Sequence, residues 1–390
     1  MAIVVSALLP TPSQAVPVFA RKYGFNCTMC HSNFPRLNDY GMRYRENGYR
    51  LPGRENEEKT ILETPAPFAM RTSGGFAWES VEDGPDSLEV QQFRMEALDI
   101  LSAGLLGERI GYVLVYPPEI GESMGVSGQV GTLEMANVVF SDIVPAWLSA
   151  RVGRFEPAYV AFSIKRQLAA SPYEIYEYAF PGGAAFSATQ TGIEITGGEG
   201  WGVRYAAGWV GGAETNPADE LPADFYARLT KVFGAGEGQT AGQRIGVIGY
   251  KGKASASGGD GERSCSCESF VRYGADLSLN IPHWNLSAQY LAAQDDGALW
   301  GSSSDVDYWG GFAELSWLPM TSFVGFARYD FVSSPDVVEQ DLSRYTVGGR
   351  YYLVDNVAVH AEYSRRIDAV PDPGEDVVTN SAAARIDFAF

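Results

Sequence analysis

From residue 67 onward, apolar and polar side chains alternate in segments of roughly ten residues, separated by Gly, Asp, Asn, Ser and Pro. Trp284, Leu286, Ala288 and Tyr290 alternate with Asn285, Ser287 and Gln289, and Val271, Tyr273, Ala275 and Leu277 with Arg272, Asp276 and Ser278. The same division sets Trp201, Val203, Tyr205 and Trp209 against Arg204, and Tyr345, Val347, Tyr351 and Leu353 against Arg350. Val357, Val359, Ala361 and Tyr363 alternate with His360 and Glu362. A period of two with charges on one face predicts strands that have lipid on one side and water on the other. The expected fold class is therefore all-β, a transmembrane antiparallel β-barrel. A soluble β-sandwich also alternates, but it hides its apolar faces and seldom needs so many repeats.

About 16 segments can be counted, an even number as in porins. Short turns are expected at 197–200, 281–283, 318–321 and 355–356, and long polar loops at 211–221, 251–266, 295–305, 333–342 and 368–377. With a periplasmic C-terminus, every long loop would lie on the cell surface. The longest link, about 155–187, joins the fifth and sixth segments, where 16-stranded porins often fold a loop inward. Its Tyr159, Phe162, Tyr173, Tyr176, Tyr178 and Phe180 are expected to pack that loop on the wall, a reading favoured over a direct electronic role. In the last segment Ala382, Ala384, Ile386, Phe388 and Phe390 would face lipid opposite Arg385 and Asp387. A terminal aromatic there resembles an outer-membrane assembly signal.

Composition adds three bounds. No run of about 18 apolar residues follows the first few positions, so no membrane-spanning helix is expected despite 45% hydrophobic content. Aromatic residues at 13% and 44 glycines suit strands and tight turns. A net charge of -19 opposes binding to polyanions, which excludes nucleic acid and favours cationic partners. Residues 1–15 carry a short apolar stretch, Pro10 and Ser13-Gln14-Ala15, which read as a secretory signal peptide. Its basic n-region is missing, as though its start were truncated. Residues 16–65 then form a separate short segment and 66–390 the barrel.

The chemistry resides in the short segment. Cys27-Thr28-Met29-Cys30-His31 has the C-x-x-C-H spacing at which two thiols bond a porphyrin edge and the adjacent imidazole binds its iron. A disulfide or half a zinc site is the competing reading, but no second C-x-x-C or His pair completes four zinc ligands. One covalent haem c is expected as the sole cofactor, with export as the consistent fate. Roughly 50 residues are too few to bury a macrocycle in an independent core, so the barrel must supply the cover. The segment is therefore expected as a short α-helical plug in or against the periplasmic mouth, with helices over 35–49, Asn38 or Asp39 as cap and Gly48 as stop.

This segment resembles the fused monohaem cytochrome-porins of outer membranes, a family associated with ferrous iron oxidation. The match rests on Pro17 to Arg21, Gly24, Cys27, Cys30, His31, Pro35, Leu37, Asn38, Gly41, Gly48 and Tyr49. It covers the N-terminal segment closely and the barrel only in size and architecture. Lys22 and Tyr23 stand where iron-oxidising members usually carry Gln and Thr, and Met42 replaces a common Arg. The resemblance implies thioether links at Cys27 and Cys30 and an axial bond from His31.

The second axial ligand stays open between Met42 and His360, with His283, another Met or an open position behind them; Met70 and Met95 share outward strand faces with Phe68 and Phe93. Acidic residues crowd the expected loops, among them Glu82, Asp83, Asp86, Asp295, Asp296, Asp305 and Asp336. They could concentrate Fe2+ or simply bind divalent ions that bridge surface lipids. Cys265 and Cys267 are expected as a loop staple rather than a metal site. The leading expectation is an outer-membrane electron conduit: a single haem accepts electrons from extracellular Fe2+ or another reductant and passes them to a periplasmic c-type cytochrome. Outward flow to an extracellular acceptor, and a solute porin with a haem plug or sensor, are the alternatives. Whether the chain is itself a ferrous iron oxidase stays open.

Overall fold

A computed structural model describes residues 18–33, 35–55, 58–64, 67–118, 133–164, 167–178, 189–198, 201–211, 224–253, 269–296, 305–337, 341–354, 356–370 and 375–389. Sixteen antiparallel strands form a closed barrel: β3 (Phe68–Asp83), β4 (Asp86–Gly107), β5 (Ile110–Tyr116), β6 (Met135–Val144), β7 (Leu148–Phe155), β8 (Gln190–Gly197), β9 (Val203–Val210), β10 (Asp224–Phe233), β11 (Gln243–Gly252), β12 (Phe270–Ile281), β13 (Trp284–Asp295), β14 (Val306–Met320), β15 (Phe323–Ser333), β16 (Leu342–Val354), β17 (Val357–Asp368) and β18 (Val377–Ala389). Closure comes from β18 pairing with β3, Ala382 opposite Trp78 and Arg385 opposite Gly75. A closed sheet leaves no unpaired edge in lipid.

The alternation decides which face each residue takes. On β13, Asn285, Ser287, Gln289 and Leu291 are buried in the lumen while Trp284 and Tyr290 are exposed. On β12, Arg272, Asp276 and Ser278 are buried and Tyr273 is exposed. The outward band of Phe225, Leu229, Ile245, Val247, Leu315 and Val347 has no protein cover, which in a barrel means lipid. Lumen charges are paired: Arg228 with Asp276, Arg272 with Asp295, and Arg328 Nε with Asp330 Oδ2 at 2.7 Å. Asp295, expected in a surface loop, ends β13 and turns inward with no exposure, because Arg272 on the neighbouring strand needs a counter-charge.

Short connections lie at one mouth, as at Ile281–Trp284 and Met320–Phe323, and longer ones at the other. Two connections break the expected alternation. Residues 234–242 make a longer link at the short-turn mouth, and Asp83 and Asp86 close a tight hairpin at the long-loop mouth. Residues 82–93 are exposed on both faces, so this hairpin projects beyond the apolar band. After β7, the described parts of the link, 156–164 and 167–178, fold into the lumen as expected and carry the one-turn helix α3 (Glu174–Glu177). Its backbone is tied to wall carboxylates: Ala161 N to Asp276 Oδ1 at 3.2 Å, Ala170 N to Glu362 Oε2 at 2.8 Å and Glu174 N to Asp330 Oδ1 at 3.3 Å. Tyr173 stacks on Phe312 at 3.9 Å, and Tyr159, Phe162, Tyr176 and Tyr178 pack in the same cluster with wall residues. Phe180, Cys265, Cys267, Phe390 and residues 1–15 lie outside the described residues.

Candidate functional site

The N-terminal segment comprises α1 (Val18–Tyr23), one 3-10 turn at Cys27–Met29, a small ladder of β1 (His31–Asn33) and β2 (Arg36–Leu37), and α2 (Asp39–Glu46). Asn38 organises it. Its Oδ1 accepts from Gly41 N at 2.9 Å to cap α2, and its Nδ2 donates to Thr28 O at 3.2 Å and Met29 O at 3.0 Å inside the C-x-x-C-H loop. Its backbone N–H donates to Cys30 O at 2.9 Å. Helix and loop approach so closely that a Cβ on Gly41 would stand 2.2 Å from Cys30 O, so only glycine fits. Gly48 follows α2 with φ +65, which glycine adopts at no steric cost.

Behind this scaffold Phe19, Tyr44, Tyr49 and Leu51 form a small core. Lys22 Nζ lies 2.9 Å from Glu58 Oε2, and Tyr23 OH donates to the same carboxylate at 2.6 Å. Lys22 and Tyr23 thus fasten the end of the segment to its beginning. Burial, then the Glu58 carboxylate, pushes the Tyr23 phenol far above its ordinary range.

The segment is seated in the short-turn mouth by charge. Asp39 Oδ1 accepts from Arg244 at 2.9 Å and lies 3.6 Å from Arg204, and its Oδ2 accepts from Gly236 N at 3.1 Å. Glu46 pairs with Arg204 and lies 3.7 Å from Arg244. Burial works to raise the Glu46 pKa, but Arg204, Arg244 and Arg45 outweigh it and hold the carboxyl below its ordinary value. Arg50 donates to Asp142 at 2.9 Å on the far rim. The link of 234–242 grips the loop itself, Gln239 Nε2 donating to Ser32 O and Asn38 Nδ2 to Gly238 O, each at 3.2 Å.

Between segment, wall and inward loop lies a cavity of about 330 Å³ with a mostly apolar lining. Cys27, Cys30, His31, Phe25 and Leu37 form one side; Ala69, Leu101, Ala103, Val113, Val115 and Met135 the wall; Phe162, Leu168 and Tyr173 the roof. Arg36, Arg45, Arg71 and Arg151 reach its margins together with Glu156 and Glu314, and Arg45, Arg71 and Arg151 are paired with Glu156, Asp99 and Glu194. No disulfide joins Cys27 to Cys30. Burial pushes the Cys30 thiol up to about 11 and lowers His31 to about 4, against backbone hydrogen bonds that favour its charged form. The imidazole is therefore neutral at neutral pH, the form that binds metals.

The three motif residues meet at this cavity; the two candidates for a second ligand do not line it. Met42 is 4% exposed on α2. His360 is fully buried on β17, its Nε2 2.7 Å from Glu362 Oε2 and its ring 5.9 Å from Phe326. His283 sits in the β12–β13 turn with Nδ1 2.9 Å from Leu318 O. Met70 and Met95 keep the outward parity of Phe68 and Phe93. Met135, which sequence reasoning left unnamed, does line the cavity. The available signal was its parity with lumen-facing Asn137 on β6, hidden because a long link precedes it and the strand start was not legible.

Beside the segment runs a second, more polar space of about 1000 Å³. It is bordered by Cys27 and His31 of the motif, by Arg94, Arg344, Arg350 and Arg385 with Glu79, Glu362 and Asp387, and reaches the rim at Asn356 and Ala389. Among the described residues no group of three or more His, Cys, Asp or Glu is placed to hold a metal ion.

No protein-family model and no curated protein matches the chain. Solved structures share its fold. The anion-selective porin from Comamonas acidovorans superposes with a TM-score of 0.59 at 13% identity, over 83% of this chain and 100% of that one. OprB of Pseudomonas putida gives 0.59 at 11% identity, over 87% and 97%. The outer membrane channel DcaP of Acinetobacter baumannii gives 0.57 at 11%, over 83% and 97%. The class that fold and sheet topology define is the 16-stranded, porin-type barrel. At these identities the likeness is one of fold.

Proposed function

We propose that this protein is an outer-membrane electron conduit that takes electrons one at a time from an extracellular donor, with Fe2+ as the leading candidate, and delivers them to a periplasmic c-type cytochrome. The carrying observation is that Cys27, Cys30 and His31 meet at one mostly apolar cavity roofed by the inward loop, with Cys27 and His31 also bordering the polar space beside it. The donor set fits a c-type haem: two thiols for thioether bonds, a neutral imidazole for iron and apolar walls for the porphyrin. Bound there, a haem would supply a one-electron iron couple. The chain's residues would do the rest: Cys27 and Cys30 would tether it, His31 would ligate the iron, and Phe162, Leu168 and Tyr173 would exclude water from the long-loop side. Barrel architecture and the outer-membrane setting of the structural neighbours support the location. Stopped-flow mixing of the oxidised, detergent-solubilised protein with Fe2+ at near-neutral pH tests the donor; an unchanged haem spectrum removes Fe2+ from the assignment.

A second reading, a solute porin whose N-terminal haem segment leaves a pore open beside it, draws on the polar space there and on the anion-selective porin among the fold's neighbours. Planar-bilayer conductance separates the two. High conductance of the intact chain, unchanged when the segment is deleted, favours the porin; low conductance that rises on deletion favours the conduit.

A further inference from the structure

Resting on the haem reading above, we propose that Met135 supplies the second axial ligand, a thioether from the barrel wall, so that segment and barrel each contribute one ligand to the same iron. Position on the strand is the first support. On β6, Asn137, Val139 and Ser141 are buried in the lumen and Phe140 is exposed outside, so the period of two turns Met135 inward. Its ladder partner on β5 is Val115, which is fully buried. Met135 and Val115 line the same cavity as Cys27, Cys30 and His31.

Chemistry and elimination supply the second support. A haem iron held by His on one face takes Met or His on the other in electron-transfer proteins, and thioether ligation raises the potential relative to bis-His. Met70 also borders the cavity, but on a strand where Ala69 and Arg71 take the inward positions, its side chain belongs to the outer face. Met135 is the lumen-facing methionine among the cavity's described lining residues. Met42 belongs to the packing of α2, and the His360 imidazole is engaged by Glu362.

A wall ligand has a structural consequence. The β6 strand is covalently remote from the C-x-x-C-H loop, so the iron would cross-link the segment to the barrel and hold the plug in its mouth. Swapping the ligand should then change spectrum, potential and docking together.

The test uses the full-length, haem-loaded protein in detergent. Oxidised wild type is expected to show the weak long-wavelength sulfur-to-iron charge-transfer band of His–Met ligation. Met135→Leu, which nearly conserves volume, should lose that band and turn high-spin, while Met42→Leu and His360→Phe keep it. Met135→His should restore a low-spin spectrum at a lower midpoint potential, which a variant that merely misfolds would not do. Covalent haem with the band intact in Met135→Leu, or with no such band in wild type, overturns the ligand assignment alone. Absence of covalent haem from the exported wild type overturns the haem reading and this inference with it.

Discussion

Gly41 shows how much a single missing side chain can decide. A Cβ there would collide with the Cys30 carbonyl oxygen, which is backbone and cannot swing aside. On the proposed haem reading, Gly41→Ala is therefore expected to push α2 off the C-x-x-C-H loop and reduce covalent haem at least tenfold, measured as haem absorbance per mole of protein. Gly249→Ala, whose Cβ would meet nothing within 4 Å, should leave loading unchanged. His360 makes a complementary case. Its ring is buried, bonded to Glu362 and stacked near Phe326, and Glu362 in turn accepts from Ala170 of the inward loop. His360→Ala should destabilise the barrel by about 1–3 kcal/mol in denaturant titration, because it strips a buried carboxylate of a partner. Its haem spectrum should stay as in wild type.

At the scale of the element, α2 is docked by charge more than by area. Asp39 is buried and faces Arg244 and Arg204 together, so Asp39→Ala leaves two lumen guanidinium groups with less compensation than they need. Removing one partner of a buried pair costs about 3–5 kcal/mol, and here that cost falls on docking. Limited proteolysis should then cleave the segment at least tenfold faster while the barrel persists. Glu46 sets the acid limit of the same contact. Its folded pKa lies below the ordinary 4.5, so its contribution is complete above that value and fades as pH falls through the lowered one. Protease access to the segment should be flat from pH 7 to pH 5 and should rise only in stronger acid, with Glu46→Gln raised throughout.

Viewed whole, the molecule is a lipid-solvated cylinder with a polar interior, and that inversion governs substitutions on its wall. Ala288 faces lipid on β13 and Ser287 next to it faces the lumen. Ala288→Arg should destabilise the barrel by on the order of 2 kcal/mol in vesicle refolding titrations, since a guanidinium in hydrocarbon has few partners. Ser287→Ala should cost less there but weaken the anchor of Arg36, whose guanidinium bonds Ser287 and Ser278. Much of this scale was legible beforehand. Strand number, lumen faces of β12, β13, β16 and β17, and the inward link after the fifth strand all follow from alternation and loop length. The projecting β3–β4 hairpin was not, because its residues alternate like the rest although neither face is covered. Asp295 was misassigned for a related reason: strand ends carry loop-like composition, and only the neighbour Arg272 decides that the carboxylate turns in.

Local order and short-range chemistry were written in the chain itself: a period of two makes strands wherever lipid and water lie on opposite sides, Asn38 and Gly48 bound a helix, and C-x-x-C-H brings two thiols and an imidazole within a few residues. What lies across from that imidazole could not be read this way. Partners remote in the chain meet only when the sheet closes and registers are set, so the pairing of Asp39 with Arg204 and Arg244, the roof of Phe162 and Tyr173, and the arrival of Met135 at the cavity are decisions of tertiary structure. One residue of slip on β6 would turn that thioether out to lipid.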